Sequence, residues 1–207
     1  MPTSFDYFEK VIGAFESVSH HDFSRLLSLI KTVSARGGRI YVIGNGGSAA
    51  TAAHMVCDLD KCNVGADDRR IRAYTLADKV PTLTAWANDA DYSQAFARQL
   101  ASMLDPGDLV IAISVSGNSE NIILALEEAR RLGAHSAGLL GHDGHRAEEL
   151  LDVSLHVSHL DYGVVETVHL GIVHALAAQL RGAADVSLSS VMASGPEVGS
   201  VPRGAGS

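Results

Sequence analysis

Apolar residues fall in short unbroken runs at RIYVIG (39–44), IRAYTL (71–76), LVIAIS (109–114), SAGLLG (136–141) and VSLHV (153–157). Runs of this length, bounded by glycine and polar residues, predict strands buried on both faces. Between them the spacing turns helical, and 47–59, 80–103 and 119–132 predict helices. Two more, over 4–17 and 20–36, precede the first strand, and one over 162–182 follows the last. In SENIILALEEARRLG, Ser119 predicts an N-cap, positions 122, 123, 126 and 129 form one apolar face, and Gly133 stops the helix. Strands that alternate with helices imply crossover units and a parallel sheet covered on both sides. The fold class is therefore α/β: a three-layer αβα sandwich on a mostly parallel five-stranded sheet, with two N-terminal helices. From residue 183 the pattern stops. The Gly-, Ser-, Ala- and Pro-rich segment 183–207 cannot bury enough apolar area to offset its ordering entropy, which predicts a disordered tail behind a single domain over 1–182.

Composition narrows the function classes. At 207 residues the chain suits one sizeable domain. A formal net charge of −8 excludes general binding to nucleic acid, which needs a cationic face. The one basic cluster, DDRRIR (67–72), opens with two aspartates and is expected to be a loop entering a strand. No uncharged apolar run approaches the roughly 18 residues a membrane span needs, and the N-terminus does not resemble a signal peptide. Cys57 and Cys62 match no zinc or redox spacing and are expected to be reduced thiols, with Cys57 in the core. These features point to the cytoplasm, with no membrane and no nucleic acid.

Two strand ends carry similar chemistry. GNGGS (44–48) closes one strand and opens a helix, and SVSGNS (114–119) does the same for another. In an open parallel sheet such loops hold ligands, because helix N-termini present unpaired N–H groups and a favourable dipole to an anion. Glycine lets the backbone approach the ligand, and the hydroxyls of Ser48, Ser114, Ser116 and Ser119 can donate to phosphate oxygens. Neither loop is a P-loop, since no lysine follows the glycines, and neither has dinucleotide-type glycine spacing. A compact phosphate held by hydroxyls and backbone fits both. A bare glycine turn with a serine cap explains either loop alone, but less readily the pair.

A second set of residues lies on two helices. His54 and Asp58 are four apart and share a face, while ETVHLGIVH carries Glu166, His169 and His174. On the helical wheel Glu166 and His174 lie roughly 80° apart. A lone histidine on an apolar helix is ordinarily a core residue, yet here imidazole and carboxylate are paired twice. Such a set can bind a zinc-like ion or supply an acid and a base for proton transfer.

With GNGGSAATAAH, AND (87–89), ISVSGNSENI, LLGHDG and ETVHLGIVH in this order, the chain resembles the sugar isomerase (SIS) domain family, and within it the phosphoheptose isomerases. The resemblance covers roughly 5–182 and implies a flavodoxin-like sheet. It also implies that Asn45, Gly46, Gly47 and Ser48, together with Ser114, Ser116, Asn118 and Ser119, bind the sugar phosphate, and that Asn88 and Asp89 reach the substrate. It puts His54, Asp58, Glu166 and His174 at the metal position, with zinc as the expected ion, and Asp58 and His174 at the catalytic one. The implied activity is interconversion of sedoheptulose 7-phosphate and D-glycero-D-manno-heptose 7-phosphate, in a homotetramer with sites at subunit interfaces. Four positions depart from the family pattern. Asp58 stands for a longer Glu, Glu166 for Gln and Val115 for Thr, and DKCN (60–63) replaces TGR, with Lys61 nearest the missing arginine. They motivate two alternatives: an isomerase for another sugar phosphate in secondary metabolism, or a non-catalytic sugar-phosphate-binding or protein-interaction module. Non-catalytic relatives lack the acid and the histidine that Asp58 and His174 supply here.

Overall fold

The computed structural model describes residues 4–62, 70–142 and 145–181. The expected tail at 183–207 and the start of the basic cluster at 67 lie outside these residues. Helices α1 (Ser4–Glu16) and α2 (His20–Ala35) lead into β1 (Arg39–Gly44) and α3 (Gly47–Lys61). Next come β2 (Arg72–Thr75), α4 (Val80–Asp89), a 3-10 turn (Tyr92–Gln94) and α5 (Ala95–Ala101). β3 (Leu109–Ser114), α6 (Glu120–Arg131), β4 (His135–Gly141), α7 (His145–Glu148), β5 (Val153–Val157) and α8 (Tyr162–Arg181) complete the order.

The five strands run in the order β2-β1-β3-β4-β5, and every pairing is parallel. All six residues of β3 are buried, because both faces of the sheet are covered. Leu109, Ile111 and Ile113 join the core under α1, α2, α3 and α8, whereas Val110 and Ala112 join the one under α5 and α6. The strand period of two thus divides one sequence run between two cores.

The topology creates the site. From β1 the chain crosses to β2 through α3 on one face, and from β3 it crosses to β4 through α6 on the other. Neighbouring strands β1 and β3 stay paired up to Gly44 and Ile113, beyond which their connections part to opposite faces and a crevice opens between the two loops. The turn out of β1 is tight: a Cβ on Gly44 would lie 2.7 Å from the Ser48 carbonyl. Only glycine permits that approach.

Three local features differ from the sequence expectations. The helix expected over 80–103 is broken after α4, where Asp91 is extended and its side chain accepts from the Ser93 N–H to start the 3-10 turn. α4 has no buried residue, so its apolar spacing carried no phase to register the break. Cys57 is exposed, since Ala52, Met55 and Leu59 are the residues that turn α3 toward the core. Finally, α8 is long and apolar enough to span a membrane by length and composition. In the fold those apolar side chains, Val164, Val165, Val168, Ile172, Val173 and Leu176 among them, are buried in the core.

Candidate functional site

The crevice between the two loops holds a pocket of about 110 Å³ lined by Asn45, Ser48, Ser114, Val115, Ser116, Ser119, Tyr162 and Glu166, with Ile113 at its base. Among the described residues no lysine or arginine lines it. Its capacity for an anion comes from hydroxyls and helix starts. Ser114 Oγ accepts the Gly117 N–H at 3.1 Å and Ser116 Oγ accepts the Asn118 N–H at 3.3 Å. Each hydroxyl has thereby spent an acceptor position and keeps its proton for a ligand. Ser119 occupies the N-cap position of α6 but makes no capping bond, so its hydroxyl too is free for the pocket. Gly117 has φ +63° and Gly46 φ +55°, conformations that glycine adopts without steric cost at both bends.

Glu166 enters the pocket from α8. Its carboxylate fills the space a Cβ on Gly47 would need, and so lies on the first residue of α3. A carboxylate there is favoured by the helix dipole.

A second cluster forms where α3 packs on α8. Asp58 Oδ2 lies 3.1 Å from His174 Nδ1 and 3.5 Å from His54 Nε2. The two imidazoles meet edge to face with centroids 4.7 Å apart. Asp58 is largely buried, with its side chain 11% exposed, while His174 is 54% exposed, so the acid is desolvated and the base faces solvent. One ligand atom from each of the three residues lies within 4.8 Å of the others. Tetrahedral bonds of about 2.05 Å separate neighbouring ligand atoms by roughly 3.3 Å, close to the two carboxylate distances here. Two imidazoles and a carboxylate thus fit a divalent cation in both donor type and spacing.

Not every expected residue joins these clusters. Glu166 stands eight residues before His174 on one helix, about 12 Å along its axis, and belongs to the serine pocket rather than to the His54–Asp58–His174 set. Asn88 and Asp89 end α4, exposed, with Asn88 Nδ2 donating to Asp89 Oδ1. Asn118 is not among the residues that line the pocket, and its Oδ1 accepts the Arg146 N–H at the start of α7. Gly46 is the N-cap residue of α3. Sequence reasoning missed Tyr92 and Asn121, whose side chains bind Asn45. A buried asparagine in the first turn of an otherwise apolar helix face was the available signal for Asn121.

His169 is a core residue of α8 with no exposed surface. Burial pushes its imidazole down from 6.5 to about 4, against an opposing contribution from the backbone of Leu140. Neither ring nitrogen has a partner in good hydrogen-bond geometry. It stands neutral in the core.

Comparison with known proteins agrees with this geometry. The family model described as "SIS domain" matches residues 5–141. The probable phosphoheptose isomerase of Thermoplasma acidophilum is 31% identical over 172 residues, which span 83% of this chain and 87% of the relative. The phosphoheptose isomerase of Paramagnetospirillum magneticum is 37% identical over 162 residues, 78% of this chain and 84% of its own. The solved phosphoheptose isomerase from Francisella tularensis superposes with a TM-score of 0.78 at 30% identity, covering 86% of this chain and 98% of that one.

Proposed function

Since the chain belongs to the SIS domain family, alongside its phosphoheptose isomerases, we propose that it is an aldose–ketose isomerase interconverting sedoheptulose 7-phosphate and D-glycero-D-manno-heptose 7-phosphate in the cytoplasm. The observation that carries this proposal is the 3.1 Å contact between Asp58 and His174, an acid and a base on the two helices that also bound the serine pocket.

Aldose–ketose exchange moves a proton between adjacent carbons through an enediol, so it needs a group that accepts a proton at carbon and one that manages the proton at oxygen. Asp58 and His174 fill these roles. With Nδ1–H donated to Asp58, the Nε2 of His174 keeps its lone pair, and only the tautomer that has lost this Nδ1 proton could use Nδ1 as a metal ligand. Ser48, Ser114, Ser116 and Ser119 hold the phosphate with Asn45 and the loop backbone at Gly46 and Gly47, and Asn118 braces that loop through α7. Asn88 and Asp89, exposed at the end of α4 and outside both clusters, are assigned to the sugar hydroxyls. His54, Asp58 and His174 would hold a divalent ion, zinc by donor type, which when bound polarises the substrate's oxygens.

The same geometry supports assembly. The pocket volume of about 110 Å³ is well below the roughly 300 Å³ at which pockets for drug-sized ligands begin, as expected for a site that needs a second chain's wall. On α1, Phe5, Phe8 and Ile12 are 74%, 60% and 62% exposed, an apolar stripe that a partner copy covers. The proposed assembly is a homotetramer, and light scattering of the purified protein should then give four times the 21.7 kDa chain mass. A monomer would overturn it.

The activity is tested by incubating purified protein with several ketose phosphates, with and without chelator, and following products by NMR. The aldose heptose phosphate should appear from sedoheptulose 7-phosphate, and more slowly after chelation. Turnover of a different ketose phosphate alone would assign the enzyme to secondary metabolism. Binding without any turnover would make it a non-catalytic module.

A further inference from the structure

Asn45, the first residue beyond β1, is tied on two sides. Its Nδ2 donates to Asn121 Oδ1 at 2.9 Å, and Asn121 Nδ2 donates back to Asn45 Oδ1 at 2.8 Å. The Tyr92 hydroxyl donates to the same Oδ1, also at 2.8 Å. A carboxamide offers two N–H donors and an oxygen with two lone pairs. Both lone pairs of Asn45 are therefore taken and one N–H is spent, which leaves a single N–H. Asn45 lines the serine pocket, so what it can present to a ligand there is a donor and nothing else. The opposite amide orientation would turn a second acceptor, beside the Glu166 carboxylate, toward the serine hydroxyls that line the pocket.

Resting on the sugar-phosphate site proposed above, we infer that Tyr92 and Asn121 are positioning residues that fix the Asn45 amide as a one-proton donor to the bound sugar phosphate. Asn121 is suited to this because it is 3% exposed in the first turn of α6 and cannot swing away. Tyr92 lies in the 3-10 turn directly after α4, the segment that carries Asn88 and Asp89, so its hydroxyl also ties that segment to the phosphate crevice. Tyr92 is 47% exposed, so loss of the hydroxyl disturbs no core packing.

Steady-state kinetics with sedoheptulose 7-phosphate tests this through a double-mutant cycle, with thermal melts to confirm folding. Tyr92→Phe should raise KM about fivefold, the size of one lost hydrogen bond, and leave kcat within about twofold. Asn121→Ala, which removes both reciprocal bonds, should raise KM further. In an Asn45→Ala background Tyr92→Phe should have no additional effect, because its action runs through Asn45. An unchanged KM in Tyr92→Phe, a fall in kcat instead, or the same fivefold effect without Asn45 would overturn the assignment. Ser116→Ala separates the two levels. If it raises KM while Tyr92→Phe does not, only the positioning role fails. If Ser116→Ala and Asn45→Ala both leave KM unchanged, the phosphate pocket fails and this role with it.

Discussion

Replacing His174 with alanine should lower isomerisation by about 10²–10⁴-fold, the cost of a lost acid–base group, and leave the fold intact. The fold survives because His174 is 54% exposed and its removal opens no cavity in the core. The chemistry does not, because Asp58 then loses the partner that shares its Oδ2 at 3.1 Å, and the nearest remaining imidazole, His54, stands at 3.5 Å. Since the serine pocket lies about two turns of α8 away, the loss should appear in kcat with little change in KM. Product formation followed by NMR, with a thermal melt as the folding control, reads both. Unchanged turnover would remove His174 from the mechanism.

Acid should loosen the fold through His169. Its ordinary value of 6.5 falls to about 4 in the folded protein, because burial penalises the charged imidazole. Above pH 6.5 the histidine is neutral in both states and the neutral core costs nothing. As pH falls from 6.5 to 4 the unfolded chain binds a proton that the folded one refuses. Stability then drops by about 1.4 kcal/mol per pH unit, or about 3 kcal/mol in all. Below pH 4 both states are protonated and the loss levels off. Denaturant titrations from pH 8 to pH 4 should show this slope in the natural sequence, and His169→Leu should lack it. Parallel profiles for the two proteins would mean that the imidazole is not held neutral by the core.

What the sequence made legible was whatever rests on local period. β3 was readable because burial on both faces demands an unbroken apolar run, and α6 because one apolar stripe faces the sheet. The pairing of His54 with Asp58 was readable from a spacing of four on one helix. The contact of Asp58 with His174 spans 116 residues, and no local pattern encodes it. The Asn45–Asn121 and Asn45–Tyr92 bonds are hidden for the same reason. Glu166 teaches a narrower lesson. The helical wheel set it near His174 by angle, but rise along the axis separates the two, and both coordinates of a helix have to be used. α4 shows the opposite limit, since a helix that buries nothing carries no stripe from which its end can be read.

The fit of Glu166 against Gly47 makes two positions, 119 residues apart in sequence, into a single steric unit. Any methyl introduced at 47 would claim the volume the carboxylate now occupies and swing that arm out of the crevice, at little expense to folding because a flexible chain end is what yields. The ionic character of the crevice is therefore adjustable from position 47 without altering a single charged residue.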